Sequence, residues 1–325
     1  MYNKVRYTIP ANQEIVSTNL SALKAKNQLQ HYISAGTADN TRKTYQAAVR
    51  HFIKWGGQLP CQQNDIVQYL LFFAEKQNTR TLKVRLSALS QWHLLQGFSD
   101  PTASLEIKKI MKGITRTHAC PEQKASACYA EHFNLMMLFL SQKKTLSDYR
   151  NQVLISLGFL GAFRRSELVS LKVSNLQFEK QGVLICLNRS KTDQAGKGIT
   201  KAIPVMNHPL CPVKLLTTWL ACLNSSEHYL FPFIDRWGNI TNKPLTPAGV
   251  NLIIKKVAKE AGLPEGHWSS HSLRRGLATS AYRAGASFES IKRQGGWISD
   301  ATVWGYIEKG KIFDNNPAAA IFTKI

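Results

Sequence analysis

The chain has 325 residues, 44% of them hydrophobic, with 42 Lys and Arg against 20 Asp and Glu for a formal net charge of +22. That apolar content excludes wholesale disorder, and the length exceeds what a single core comfortably serves, so two domains are expected. Residues 1–118 hold 16 basic and 6 acidic side chains and residues 119–325 hold 26 and 14, so both halves are suited to one polyanionic ligand and neither is a neutral body with a basic tail.

Residues 1–36 are polar and weakly periodic and read as an N-terminal arm with one helix near Leu20–Ile33. Asp39-Asn40 reads as the cap of a helix with Tyr45, Val49, Phe52 and Ile53 on one face, stopped by Gly56-Gly57. A second helix follows Asn64, with Ile66, Tyr69, Leu70 and Phe73 as its stripe. A third follows Thr79 and carries Leu82, Leu86, Leu89 and His93, and a fourth runs from Ser104 to Ile114. Residues 37–116 are thus expected to form a small helical bundle. Arg42, Lys43, Arg50, Lys76, Arg80, Lys83 and Arg85 lie off its apolar faces with few acids between them, and are candidates for contacts to nucleic-acid phosphates.

A polar stretch without period from Thr115 to Ala127 supplies a linker, drawn at residues 117–127, and residues 128–325 form the second domain. There the spacing predicts helices at Glu131–Leu140, Asp148–Gly161 and Arg165–Lys172, then a hairpin of Gly182–Leu187 and Lys201–Val205. Further helices fit Pro212–Leu223, Thr246–Gly262, Ser272–Ala284, Ser287–Gln294 and Asp300–Lys309. The expected fold class is mainly α with a small β-sheet. No run of apolar residues is long enough to span a membrane, and the first residues lack the apolar core of a signal peptide. The six cysteines are scattered without a CxxC pair, which points to free thiols in a reduced, cytoplasmic protein. His267 and His271 are four apart, yet the glutamate of a metalloprotease motif and a third ligand are both missing, so no metal site is expected.

The chemistry concentrates in a few dispersed side chains. Arg164 stands in Gly161-Ala-Phe-Arg-Arg-Ser-Glu-Leu168, with Glu167 placed to orient it, and Lys191 follows the first hairpin strand on a loop. His271-Ser-Leu-Arg274 puts two side chains on one helical face. Trp297 follows two glycines, and Tyr306 comes nine residues later. Singly, each is an ordinary surface or packing residue; their order and spacing carry the reading. Arginines neutralise charge on a pentacoordinate phosphorus, an indole N–H can donate to a phosphate, and a phenol can attack it to store the bond energy covalently. Lysine or histidine can move the protons. Such an inventory needs no metal ion, cofactor or ATP.

These motifs resemble those of the tyrosine site-specific recombinases of the phage-integrase family, and the layout is most similar to Cre-like members. The resemblance runs over nearly the whole second domain and is carried by Arg164, Lys191, His271, Arg274, Trp297 and Tyr306; Arg165 departs from the apolar residue many relatives have there. It implies a helical core-binding domain followed by a mixed α/β catalytic domain. It further implies that Tyr306 attacks a scissile phosphate to give a 3′-phosphotyrosine, that Arg164, Arg274, His271 and Trp297 hold the phosphate, and that Lys191 protonates the leaving 5′-oxygen. The implied partner is double-stranded DNA with a short inverted-repeat site, exchanged through a Holliday junction by a homotetramer on two such sites that is monomeric when free. Residues 310–325 would dock on a surface in cis or trans. A bacterial, phage or plasmid source is implied. The same residues leave open a type IB topoisomerase, or an inert DNA-binding regulator on the same fold.

Overall fold

The computed structural model describes residues 36–120, 125–187, 198–223 and 228–307, together with Gln28 and Tyr32. Most of the N-terminal arm, Lys191 and the segment 310–325 lie outside the described residues. The chain divides into two compact units, residues 1–122 and 123–325.

The first unit contains α1 (Asp39–Trp55), α2 (Gln63–Phe73), α3 (Thr79–Leu95) and α4 (Leu105–His118). Free N–H groups at helix starts need acceptors. Asn78 accepts from the Arg80 amide (2.9 Å), Ser104 from the Ile107 amide (3.3 Å), and Asp65 from the Gln62 amide (2.8 Å). At α1 the expected cap is displaced: Ala38 is the cap residue, and Asp39 lies in the first turn, where it pairs with Arg42. The helix dipole favours a carboxylate there. The apolar stripes meet in a core around Phe52, Ile66, Tyr69, Leu82, Leu89 and Met111. His93 is buried beside it because both ring nitrogens are used: Nε2 accepts from the Cys61 amide (3.0 Å) and Nδ1 bonds the Leu89 carbonyl (2.8 Å).

The second unit is built around α6 (Leu146–Leu160), which is buried continuously from Gln152 to Phe159. A helix apolar on all sides has to be the central one. Packed on it are α5 (Ala130–Ser141), α8 (Pro212–Leu223) and α10 (Ser270–Arg283), with α9 (Pro247–Glu260) against α5. The helix expected over Arg165–Lys172 stops at Ser170 (α7, Arg165–Ser170), and a 3-10 turn leads into β1 (Leu176–Glu179). β1 pairs with β2 (Gly182–Leu187) and β2 with β3 (Ile199–Pro204), both antiparallel, so the expected hairpin is a three-stranded sheet. β1 escaped the reading because its apolar–polar alternation, Leu176-Gln177-Phe178-Glu179, lasts only four residues. A second hairpin, β4 (Pro232–Ile234) with β5 (Ile240–Pro244), was also missed; its strands carry prolines at their outer ends, which weakens any strand signal. The chain closes with α11 (Phe288–Gly295) and α12 (Asp300–Ile307). Among the described residues no helix is long and apolar enough to cross a membrane.

Residues 125–128 run across the start of α10: the Ser126 amide donates to the His267 carbonyl (3.2 Å) and the Cys128 amide to the Ser272 carbonyl (3.0 Å). The close approach depends on Gly276, where a Cβ would stand 1.6 Å from the Cys128 carbonyl oxygen. Backbone cannot yield as a flexible side chain would. Gly276→Ala is therefore expected to destabilise the second unit by at least about 3 kcal/mol, which thermal unfolding would record as a fall of about 10 °C.

Candidate active site and basic surface

The chain leaves α6 through Ala162, which is buried and adopts the left-handed conformation (φ 46°). An alanine held there costs about 1 kcal/mol, and its carbonyl receives Nη1 of Arg274. Two residues on, Arg164 is the cap residue of α7. Its amide donates to Oε2 of Glu167 (2.9 Å) and its Nη1 to Oε1 (2.6 Å), so one carboxylate both caps the helix and grips the guanidinium. Glu167 is 3% exposed and is the one buried carboxylate among the described residues.

α10 begins at Ser270 after the cap residue Ser269, which sets His271, Arg274 and Arg275 in its first turns. Arg274 is 3% exposed, with its guanidinium 4.3 Å above the Trp297 ring. That ring reaches its place through the two glycines before it. Gly296 takes the left-handed conformation (φ 63°) that ends α11, and at Gly295 a Cβ would collide with the indole at 1.9 Å. Three buried donors at this site end without a partner among the described residues: Nη2 of Arg274, Nε of Arg275 and Nε1 of Trp297. Orphaned buried donors are costly and rare, and clustered beside cations they make an anion site.

Tyr306 on α12 faces the same place. Its Oη lies 3.2 Å from Nε2 of His271, and its ring meets those of Trp297 (5.9 Å) and His271 (5.7 Å) edge-to-face. The Thr279 hydroxyl donates to the Tyr306 carbonyl (2.9 Å), tying α12 to α10. Val303 and Ile307 seat α12 in a small core with Ala162, Ala278, Ile291 and Trp297, separate from the main one.

Cations outnumber the single carboxylate. Arg275, 7% exposed, bonds the Ala125 carbonyl and lies 5.7 Å from the Tyr306 ring. Lys201 is 2% exposed, on the inward face of β3 opposite Ile185. Burial first, and then Arg164, bring the Arg274 guanidinium down to about 10 against the pull of Glu167 and Tyr306. Burial raises the Tyr306 phenol, while Arg274, Arg275 and Arg164 oppose the rise. The phenol is thus protonated in the resting protein and becomes a nucleophile only if its proton is taken during attack.

The structure brings Arg164, Glu167, His271, Arg274, Trp297 and Tyr306 around one spot. Sequence reasoning missed Arg275 and Lys201. The alternation of β3, which turns Lys201 inward with Ile203, could have found the second.

In the first unit the basic candidates differ in placement. Lys43 and Arg50 are exposed on α1, two turns apart, and Arg80 and Lys83 are exposed on α3, one turn apart. Lys76 lies 3.6 Å over the Phe72 ring. Arg85 turns inward, over the Phe73 ring and against the Tyr69 hydroxyl. A groove of about 480 Å³ between α3 and α4 adds Lys108, Lys112 and Arg116 beside Lys83. Their four-residue spacing is a helical stripe that the sequence reading passed over. Among the described residues no group of three or more His, Cys, Asp or Glu is placed to hold a metal ion.

The family model described as Phage integrase family matches residues 129–311. The chain belongs to this family. Phage integrase family relatives include the integrase/recombinase xerD homolog of Selenomonas ruminantium, 34% identical over 99% of this chain and 95% of the relative. The tyrosine recombinase XerC of Lactobacillus leichmannii is 24% identical, covering 76% of this chain and 79% of the relative. Among solved folds, the XerH site-specific recombinase in its post-cleavage complex with palindromic difH substrate superposes with a TM-score of 0.61 at 18% identity, covering 86% of this chain and 79% of that one. A lambda integrase dimer bound to a COC′ core site gives 0.60 at 16%, covering 90% and 78%. The protein is an enzyme, a tyrosine recombinase of the phage integrase family.

Proposed function

We propose that this protein is a site-specific DNA recombinase that cuts and rejoins strands through a 3′-phosphotyrosine. One observation carries the reading: the Tyr306 hydroxyl stands 3.2 Å from Nε2 of His271, beside the unpartnered donors of Arg274 and Trp297. A scissile phosphate among them receives hydrogen bonds from Arg274 and Trp297 and charge from Arg164, whose guanidinium Glu167 keeps oriented. Tyr306 Oη attacks phosphorus as its proton passes to Nε2 of His271. The bond from phosphorus to the 5′-oxygen breaks, and that oxygen leaves as a hydroxyl with a proton from Lys191. Attack by the 5′-hydroxyl of a partner duplex returns the phenol and reseals the strand. One diester is exchanged for another, so no external energy source enters.

Exchange of both strand pairs passes through a Holliday junction in a homotetramer on two DNA sites, assembled from monomers, with residues 310–325 docking on a surface in cis or trans. Arg42, Lys43, Arg50, Lys76, Arg80 and Lys83, with Lys108, Lys112 and Arg116, contact the backbone of a short inverted-repeat site, and Arg85 supports that surface from within. The reaction belongs to the cytoplasm, where such DNA resides. The relative named as a xerD homolog and the neighbour bound to a palindromic substrate both support this reading.

Incubation with its own flanking DNA carrying a nicked suicide site is the test. The expected product is a covalent adduct whose peptide maps to Tyr306, followed by joining to a second duplex. Absence of any adduct overturns the reading. Relaxation of supercoils without joining to a partner replaces it with a strand-swivelling topoisomerase.

A further inference from the structure

We propose that Lys201 is a positioning residue for strand cleavage, tying the loop that carries Arg164 to the turn that carries Trp297 so that both meet the phosphate at one spacing. This rests on the active-site reading above and adds a member to it. The geometry is specific: Nζ of Lys201 donates to the Gly161 carbonyl at 2.6 Å and to the Gln294 carbonyl at 2.7 Å. The first acceptor lies three residues before Arg164 and the second three residues before Trp297. Gln294 repeats the connection with its own side chain, donating to the Leu160 carbonyl (2.9 Å) and the Ala202 carbonyl (3.0 Å). The end of α6, the end of α11 and β3 are thereby closed into one ring of hydrogen bonds.

A lysine is a poor choice if the position only needs filling. Burying an ammonium is costly, and a methionine of similar length would fill the space beside Phe163 without that cost. The charged groups that face it compound the problem: Arg274 and Arg164 repel the ammonium, and Glu167 alone attracts it. Burial, then Arg274, bring its pKa down to about 7, with Arg164 adding and Glu167 opposing. A cation in that position becomes comfortable when an anion joins the group. A phosphate between Arg164 and Arg274 removes the repulsion, so Lys201 takes up a proton as DNA binds, and the ring tightens when substrate is present.

The test compares wild type with Lys201→Met and Lys201→Arg on a nicked duplex, measuring thermal midpoint, DNA affinity from pH 6.5 to 8.5 at constant salt, and single-turnover adduct formation. Wild-type affinity is expected to fall by on the order of 20-fold across that interval, as one linked proton is lost. Lys201→Met is expected to fold, to flatten that dependence to less than about threefold, and to form adduct on the order of 10- to 100-fold more slowly, as misplaced reacting groups do. Lys201→Arg keeps donors that hold their protons in this range, so it is expected to recover part of the rate with a flat profile. The inference is overturned if folded Lys201→Met cleaves within about threefold of wild type. It is overturned equally, should Lys201→Met not fold, if Lys201→Arg retains the wild-type pH slope. Failure of the wild type itself to form adduct is a different outcome and removes the active-site reading instead.

Discussion

Tyr306→Phe is expected to abolish the covalent DNA adduct, with strand joining reduced by at least about 10⁴-fold. The change removes one oxygen and leaves the ring, its edge-to-face contacts with Trp297 and His271, and the packing of α12 in place. Only the hydrogen bond to His271 goes, and His271 is exposed enough for water to replace it. The stability change should stay below about 1 kcal/mol. DNA affinity should hold, because the phosphate donors are untouched. Denaturing gels of a labelled suicide duplex read the outcome. An adduct that persists in the phenylalanine variant would move the nucleophile elsewhere and dissolve the mechanism.

Arg274→Gln carries the second large effect, with stability and activity moving in opposite directions. In the free protein Arg274 is a desolvated cation with one unpartnered nitrogen, near a second arginine and a buried lysine. Removing the charge relieves that repulsion, although the contacts to Ala162 and Trp297 are weakened. The thermal midpoint is expected to stay level or rise, as happens when active-site strain is released. Adduct formation is expected to fall by on the order of 10³-fold, since a donor and a charge aimed at the transition state are lost together. A variant that unfolds early, or one that cleaves within tenfold, contradicts the assignment.

The helices of both units were readable because their cores follow from spacing: the stripes of Phe52, Ile66, Leu82 and Met111 in the first unit are the residues that meet. The residues gathered around Tyr306 were readable too, but by motif. Nothing in the local sequence brings Arg164 to Arg274; that depends on the left-handed turn at Ala162 and on an indole folded back over Gly295. Neither has a periodic signature. Lys201 and Arg275 stayed hidden because a basic residue on a basic chain reads as surface, and only three-dimensional packing reveals a buried one. β1 was hidden because it is only four residues long: Leu176-Gln177-Phe178-Glu179 alternates apolar with polar, yet for too short a run to stand out.

The eight residues of α12 rest on a satellite core, apart from the one that holds α6. Among the described residues it is held there by Val303 and Ile307 and by the Thr279 hydroxyl, which donates to the Tyr306 carbonyl. Trp297 belongs to that same satellite core, so the packing that seats the nucleophile also seats a donor aimed at the phosphate, and a substitution that loosens one displaces both.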